Sequence, residues 1–240
     1  MIRAERFLKS LASAALAVVA SYGLLFSAVS SAEAAPMLRL TSSGGGSATI
    51  TDNGIGDVSA DIGAVTFNGA LAGFNINVTT GITKPNLGNV GRPVLDLFSV
   101  NISTNAGTGG TLTIEFPDSD FSANLDQLIW LAGIGGSTTG SVSYQLFADD
   151  SNAAFGQGQL LADFGPLNSF FAEDLLATTN FGAGNDFSVT LVATVVHNAS
   201  QFQATSFNAV ARVPEPRTLA LFGIGLAVLG LMRRRRGKAA

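Results

Sequence analysis

The stretch that decides the fold is DFSVTLVATVV, residues 186–196. Serine and threonine alternate along it with apolar side chains, which stand at Phe187, Val189, Leu191, Ala193 and Val195. A repeat of two residues sends successive side chains to opposite faces of an extended chain. The stretch therefore predicts a β-strand with one face in a hydrophobic core.

The same alternation recurs in FNINVTT (74–80), TLTIEF (111–116) and SVSYQLF (141–147). In VLDLFSVNIS (94–103) the alternation changes phase between Leu97 and Phe98. One extra residue in a paired strand restores the register, so the phase change predicts a β-bulge there. Trp130 lies in NLDQLIWLAGI, for which a short helix and a buried strand both remain open.

Turn signals separate these runs. Asn53-Gly54 and Asn68-Gly69 favour tight hairpin turns, and Gly107–Gly110, Gly133–Gly140 and Gly182–Asn185 predict longer ones. Short strands at this spacing predict an all-β fold, a single antiparallel β-sandwich in the immunoglobulin-like or jelly-roll style. We expect the sandwich to span residues 35–212, with a signal helix before it and a transmembrane helix after it.

Charge is unevenly distributed along the 240 residues. Residues 35–212 hold four cations against fourteen carboxylates, a net charge of −10. An acidic body excludes a nucleic-acid partner, because such binding needs a basic surface. The chain has no cysteine, which excludes disulfides, thiolate metal sites and cysteine nucleophiles.

Residues 1–34 have the pattern of a secretory signal peptide. A basic head is followed by an apolar stretch and by Ala32-Glu33-Ala34, a small-residue cleavage pattern. We expect cleavage between Ala34 and Ala35. The alternative is an uncleaved membrane anchor.

Residues 213–240 combine three features in order: VPEP, an apolar run from Thr218 to Met232, and four arginines. As a helix the run reaches about 22 Å, short of the ~30 Å hydrocarbon core, although flanking arginines can extend its reach. Basic residues stay on the cytoplasmic side, so the arginines fix the direction of the helix. They are Arg233, Arg234, Arg235 and Arg236.

Proline ends a helix, so the segment before this run is expected to be extended and exposed just outside the membrane. The segment consists of Val213, Pro214, Glu215 and Pro216. A membrane-embedded processing enzyme could bind it there. The alternative is a plain tail anchor with a rigid linker.

These three features resemble the PEP-CTERM sorting signal of Gram-negative bacteria. The resemblance implies recognition by an exosortase, which would cut near Pro214-Glu215-Pro216 after transit through the inner membrane. It also implies a final place at the cell surface or in an exopolysaccharide-rich biofilm matrix. Residues 52–85, 94–103 and 109–116 resemble a recurrent ectodomain of such proteins, to which the resemblance assigns no activity or site residues.

Candidate chemistry in the body is sparse. His197 is the only histidine and has no sequence partner that suggests a triad, and no serine lies in a G-x-S-x-G elbow. Asp52, Asn53 and Asp57 offer oxygen ligands of the kind that Ca²⁺ binds, but their spacing does not match an EF-hand loop, and a turn in which these side chains bind their own backbone is the favoured interpretation. We therefore expect no enzyme and no cofactor, with a Ca²⁺ ion as the alternative.

Two further features bear on sugar binding. Aromatic rings often stack on sugars, but Trp130 and Tyr144 stand in apolar contexts typical of a core. Three N-x-S/T patterns, beginning at Asn77, Asn101 and Asn198, predict polar strand faces. The leading hypothesis is a non-enzymatic exported surface or matrix protein. The alternatives are a carbohydrate- or calcium-binding adhesion module and, third, an extracellular hydrolase.

Overall fold

The computed structural model describes residues 35–122, 127–181 and 184–214, which form ten β-strands. The predicted signal helix and transmembrane helix lie outside these ranges, and no helix that could cross a membrane occurs within them. The strands are β1 (Met37–Ser42), β2 (Ser47–Thr51), β3 (Ala64–Leu71), β4 (Phe74–Ile82), β5 (Val94–Thr104), β6 (Gly110–Ser122), β7 (Gln127–Asp149), β8 (Gln159–Asn180), β9 (Asp186–His197) and β10 (Gln203–Arg212).

All strand pairs are antiparallel, in the order β2-β1-β6-β9-β7-β10-β5-β4-β3, with β8 on the other side of β7. The first half of β7 pairs with β10 and the second half pairs with β9. Strand β7 therefore belongs to two sheets. Sheet one contains β2, β1, β6, β9, the second half of β7 and the first half of β8, which pairs with it. Sheet two contains β3, β4, β5, β10, the first half of β7 and the second half of β8. The predicted all-β antiparallel sandwich is confirmed.

The two sheets pack face to face through large side chains. The Trp130 ring of sheet two meets the Phe187 ring of sheet one edge-on, with 6.4 Å between centroids. Tyr144 Oη of sheet one donates a hydrogen bond of 3.1 Å to the Val210 carbonyl of sheet two. Both Trp130 and Tyr144 are fully buried, so the core prediction for these two aromatics is confirmed, and Trp130 lies in a strand.

The strand faces follow the predicted alternation with one difference. In β9 the five predicted apolar residues are buried, but Ser188 and Thr190 on the other face are buried as well. Strand β9 lies between β6 and β7 in sheet one, so it is a central strand.

The predicted turn over Gly133–Gly140 is wrong, because these residues lie inside β7. They surround the point where β7 passes from one sheet to the other. A Cβ on Gly136 would stand 2.2 Å from the Ser206 carbonyl oxygen, and one on Gly140 would stand 2.2 Å from that of Val196. The glycines allow neighbouring strands to approach closely at this corner. Glycine therefore serves here in strand contacts, whereas the sequence pattern suggested turns.

The two predicted Asn-Gly hairpin turns are also wrong. Asn68 lies at a register shift inside β3, and the turn between β3 and β4 is formed by Ala72 and Gly73, both with positive φ. Asn53 adopts a positive φ as expected, but it starts a long loop between β2 and β3, which stand at opposite ends of the strand order. Positive φ at both central residues is what a type I′ hairpin turn requires, and Ala72-Gly73 meets it.

The β-bulge predicted in VLDLFSVNIS is confirmed. In the pairing with β10, Val100 lies opposite Phe207 and Leu97 lies opposite Ala209. Between these two pairs β5 has two residues and β10 has one. The extra residue falls at Phe98 and Ser99, neither of which is buried, and Ser99 has a φ of 54°. The bulge keeps Leu97 and Val100 in the core although an odd number of steps separates them.

Candidate functional site

The predicted sorting segment begins where a central strand ends. Strand β10 lies between β5 and β7 and runs to Arg212, and the Val213 amide then donates a hydrogen bond of 3.1 Å to the Pro93 carbonyl. Pro214 is exposed and is the last described residue of the segment. Val213 is thus anchored to the body and Pro214 is the first residue beyond it.

The other predicted residues of the two chain ends lie outside the described residues. They are Ala34 at the signal cleavage point, Glu215 and Pro216 of the sorting segment, and Arg233, Arg234, Arg235 and Arg236. Ala35, on the other side of the predicted cleavage point, is exposed. The roles assigned to all of these residues stay predictions.

The acidic loop after β2 uses its side chains on its own backbone. Asp57 accepts hydrogen bonds from the amides of Asn53, Ser59 and Thr66 at 2.8–2.9 Å. Asp52 accepts from the Gly63 amide at 2.8 Å and from the Asn53 side chain at 3.0 Å. These contacts agree with the interpretation of Asp52, Asn53 and Asp57 as turn residues that bind their own backbone. Within the described ranges no three His, Cys, Asp or Glu side chains form a group that could hold a metal ion.

Two ionisable groups, Lys84 and Asp118, are buried as a pair in the interior. Lys84 Nζ lies 2.9 Å from Asp118 Oδ1, and it also donates to the Ser119 carbonyl at 2.6 Å. Thr83 donates to the other Asp118 oxygen at 2.7 Å. Burial raises the pKa of Asp118 to about 6, although Lys84 and Thr83 act in the opposite direction. The pair joins the chain after β4 to β6, so it ties sheet two to sheet one.

The outer face of sheet two carries an open cleft of about 560 Å³. Register places one row of side chains across it, because directly paired residues of neighbouring strands point to the same face. Ser206 of β10 pairs with Asn101 of β5 and with Ser137 of β7, and Ser137 pairs with Phe170 of β8. Asn77 of β4 extends the row beside Asn101. We call Asn77, Asn101, Ser206, Ser137 and Phe170 the cleft row.

The cleft row is uncharged and open to solvent. Phe170 is 90% exposed, an unusual position for a large apolar ring. Among the described residues, no hydrogen bond joins the side chains of Ser137 and Ser206 to another group, so their hydroxyls are free to bind a ligand. Asn101 donates to the Ser99 carbonyl at 2.9 Å, which fixes its amide and leaves its oxygen available.

A buried chain of hydrogen bonds lies directly beneath the cleft. Thr138 and Thr205, whose hydroxyls are 2.6 Å apart, connect β7 to β10. Thr205 is 2.8 Å from His197 Nε2, and Thr104 is 3.1 Å from His197 Nδ1. Burial lowers the pKa of His197, which favours the neutral ring. The chain links four strands under the cleft, and His197 lies buried at the end of β9 with a threonine hydroxyl at each ring nitrogen.

Sequence reasoning found part of this cleft without assembling it. The predicted polar strand faces at Asn77 and Asn101 are confirmed, whereas Asn198 lies in the loop after β9. Phe170 was missed because the sequence around it carries no alternation that separates exposed from buried phenylalanines. The signal that identifies it is its register opposite Ser137, which no local pattern contains.

The family described as "PEP-CTERM protein-sorting motif" matches residues 212–236. This chain carries a PEP-CTERM protein-sorting motif. The match begins at the last residue of β10 and covers the apolar run and the four arginines. A motif of this class implies an exported protein that passes through the membrane and is sorted by an exosortase.

Solved structures match the body of the PEP-CTERM chain only distantly. The enzymatically active domain of tailspike protein 4 from bacteriophage CBA120 is 14% identical with a TM-score of 0.29, over 58% of this chain and 20% of that one. The K3 cleaved adhesin domain of Lys-gingipain from Porphyromonas gingivalis is 10% identical with a TM-score of 0.27, over 48% and 73%.

The N-terminal cellulose-binding domain of Cellulomonas fimi β-1,4-glucanase C is 11% identical with a TM-score of 0.30, over 66% of this chain and 99% of that one. Similarities at this level carry no argument about activity. No curated protein matches the chain.

Proposed function

We propose that the chain is a non-enzymatic protein of the cell surface or extracellular matrix, delivered there by export and exosortase processing. The observation that carries the proposal is the sorting motif at residues 212–236, which starts directly at the end of β10. The proposal extends to a Gram-negative host, cleavage at Ala34-Ala35, a membrane helix at residues 218–232, and a matrix rich in exopolysaccharide.

The body offers support for a non-enzymatic role. The one histidine is buried with both ring nitrogens against threonine hydroxyls. Asp52 and Asp57 accept backbone hydrogen bonds, and Asp118 is paired with Lys84 inside the core. General acid–base catalysis needs a titratable group within reach of a substrate, and these groups are committed to the fold.

The deciding experiment is the mass and the terminal peptides of the mature protein from its own host. We expect a chain that starts at Ala35 and ends near Glu215. Replacement of Pro214 and Pro216 by alanine is expected to leave the protein uncut and held in the membrane. The matched control is Gln201→Ala, in an exposed loop, which should be processed normally. A mature chain that keeps Arg233–Arg236 would remove the exosortase from the proposal and leave a tail-anchored protein.

A further inference from the structure

We infer that the cleft row on sheet two is a binding site for a neutral polysaccharide chain. The inference rests on the proposed function, because it names what a matrix protein of this kind would hold. It concerns Asn77, Asn101, Ser206, Ser137 and Phe170, which come from five neighbouring strands and meet at one cleft.

The size of the cleft fits an extended ligand. Neighbouring strands lie about 4.8 Å apart, so a row across five strands is roughly 19 Å long. The volume of about 560 Å³ is that of a ligand pocket, and the cleft is open along the sheet instead of enclosed. A polymer can therefore lie across the row and leave the cleft in both directions, which a closed pocket would prevent.

The chemistry of the row fits a sugar. Free serine hydroxyls and asparagine amides both donate and accept hydrogen bonds, as sugar hydroxyls do. Phe170 offers an exposed aromatic face at one end of the row, on which the apolar C–H face of a sugar ring can pack. A patch of hydroxyls and amides with a single exposed ring is poorly suited to an apolar protein partner, because it buries little hydrophobic surface.

The charge distribution selects a neutral polymer. The cleft row is uncharged. Ser103, Thr139 and Ser169, which line the cleft on one side of the row, are uncharged as well. Charged groups occur on the same face of sheet two nearer to the end of β10. Asp96 pairs there with Val210, and Asp174 pairs with Gly133, the partner of Val210 in β7. Because the body carries a net charge of −10, it repels a polymer rich in uronic acids or sulfates.

The cleft is held ready for a ligand. Thr139 Oγ1 accepts a hydrogen bond of 2.9 Å from the Ala204 amide, which fixes β7 against β10 beside the cleft row. Beneath the floor, the hydrogen bonds from Thr138 through Thr205 and His197 to Thr104 connect β7, β10 and β5, three of the five strands that carry the row. A site formed in advance loses less conformational entropy on binding than a mobile one.

The test uses the full-length chain purified in mild detergent, run in native gels that contain a polysaccharide. The probes are dextran, hydroxyethylcellulose and galactomannan as neutral polymers, the neutral polysaccharide fraction of the host matrix, and alginate as the anionic polymer. We expect retardation by at least one neutral probe and none by alginate. Phe170→Ala should weaken binding about tenfold or more, because it removes the ring that covers the sugar.

Matched variants make the result specific to the cleft row. Leu160→Ala removes an exposed apolar side chain from the same strand outside the row and should bind as the parent does. Phe170→Tyr keeps the ring and should retain binding. Ser137→Ala with Ser206→Ala should weaken it without a change in thermal stability, since neither hydroxyl has a partner within the described residues.

Two results overturn the inference: no retardation by any neutral probe, or retardation that Phe170→Ala leaves unchanged. Equal retardation by alginate overturns its neutral character. The terminal peptides of the mature protein are read separately. A correctly processed protein that binds no neutral polymer refutes only the cleft inference, and an unprocessed protein that binds refutes only the sorting proposal.

Discussion

Replacement of Gly81 by alanine tests whether the two sheets pack as described. Gly81 lies in β4 of sheet two, and a Cβ there would stand 2.4 Å from Cε2 and 2.5 Å from Cδ2 of Phe116 in β6 of sheet one. Carbon atoms in contact are normally about 3.5–4.0 Å apart. Phe116 is fully buried, so we expect its ring and the packing between the two sheets to shift to admit the Cβ.

The cost follows from this overlap. Overpacking of a well-filled core costs about 1–3 kcal/mol, and the buried aromatic ring places Gly81→Ala in the upper part of that range. Alanine recovers about 0.5 kcal/mol by restricting the unfolded chain. We therefore expect a loss of about 2 kcal/mol in the free energy of unfolding. For a domain of this size that lowers the melting temperature by about 4–8 °C.

Urea and thermal unfolding followed by circular dichroism measure the loss. The matched control is Gly135→Ala in β7, where the nearest atom to a Cβ is the Phe171 carbonyl oxygen at 3.8 Å; it should be neutral or slightly stabilising. In a Phe116→Leu background Gly81→Ala should cost less, because the smaller side chain makes room. If Gly81→Ala is as stable as Gly135→Ala, Phe116 does not pack on β4 and the face-to-face arrangement is wrong.

The remaining predictions concern the buried polar groups and the bulge. Lys84→Met should cost about 3–5 kcal/mol in urea unfolding, because Asp118 then stays buried without its partner, and the double variant with Asp118→Leu should recover part of the loss. Because burial lowers the pKa of His197, the unfolded chain takes up that proton more readily, and the contribution of His197 to stability should fall as the pH drops below about 6.5, while the raised pKa of Asp118 acts in the opposite direction. His197→Gln should flatten this part of the pH–stability curve; an unchanged curve contradicts the assignment. Deletion of Ser99 should remove the bulge and leave thermal unfolding cooperative, because Leu97 and Val100 then stand two steps apart on the core face; loss of cooperativity would contradict the register.

The strands were predictable because their signal is local. Alternation along residues 74–80, 111–116, 141–147 and 186–196 reports a buried face wherever that face lies, and the phase change at Leu97 reports the bulge without knowledge of its partner. The VPEP segment and the arginines were equally visible, because a sorting signal is recognised as a linear sequence.

The glycines in β7 were misread because their role is decided by distant residues. Gly136 and Gly140 are close to the backbones of Ser206 and Val196, which are more than fifty residues away in the chain. Local sequence cannot distinguish a glycine that reverses the chain from one that lets another strand approach. The turn at Ala72-Gly73 was missed for a related reason, since alanine rarely adopts the positive φ that it has there.

The cleft could not be predicted from the sequence, because its residues are brought together only by the register between strands. Asn101, Ser206, Ser137 and Phe170 stand in four separate strands, and a shift of one residue in any pair would break the row. Each residue alone is an ordinary polar or apolar strand position. Only the pairing of β5, β10, β7 and β8 makes them one surface.

Strand β10 relates the cleft to the end of the chain. Ser206 lies in the cleft row, β10 ends six residues later at Arg212, and the chain leaves the body after Val213. Six residues of extended strand span about 20 Å, so the neutral cleft and the exit at Pro214 are at opposite ends of one rigid strand. The charged residues Asp96 and Arg212 of this face stand at the exit end. A body held by the segment after Pro214 would therefore present its uncharged cleft away from the point of attachment, where a polymer outside the cell can reach it.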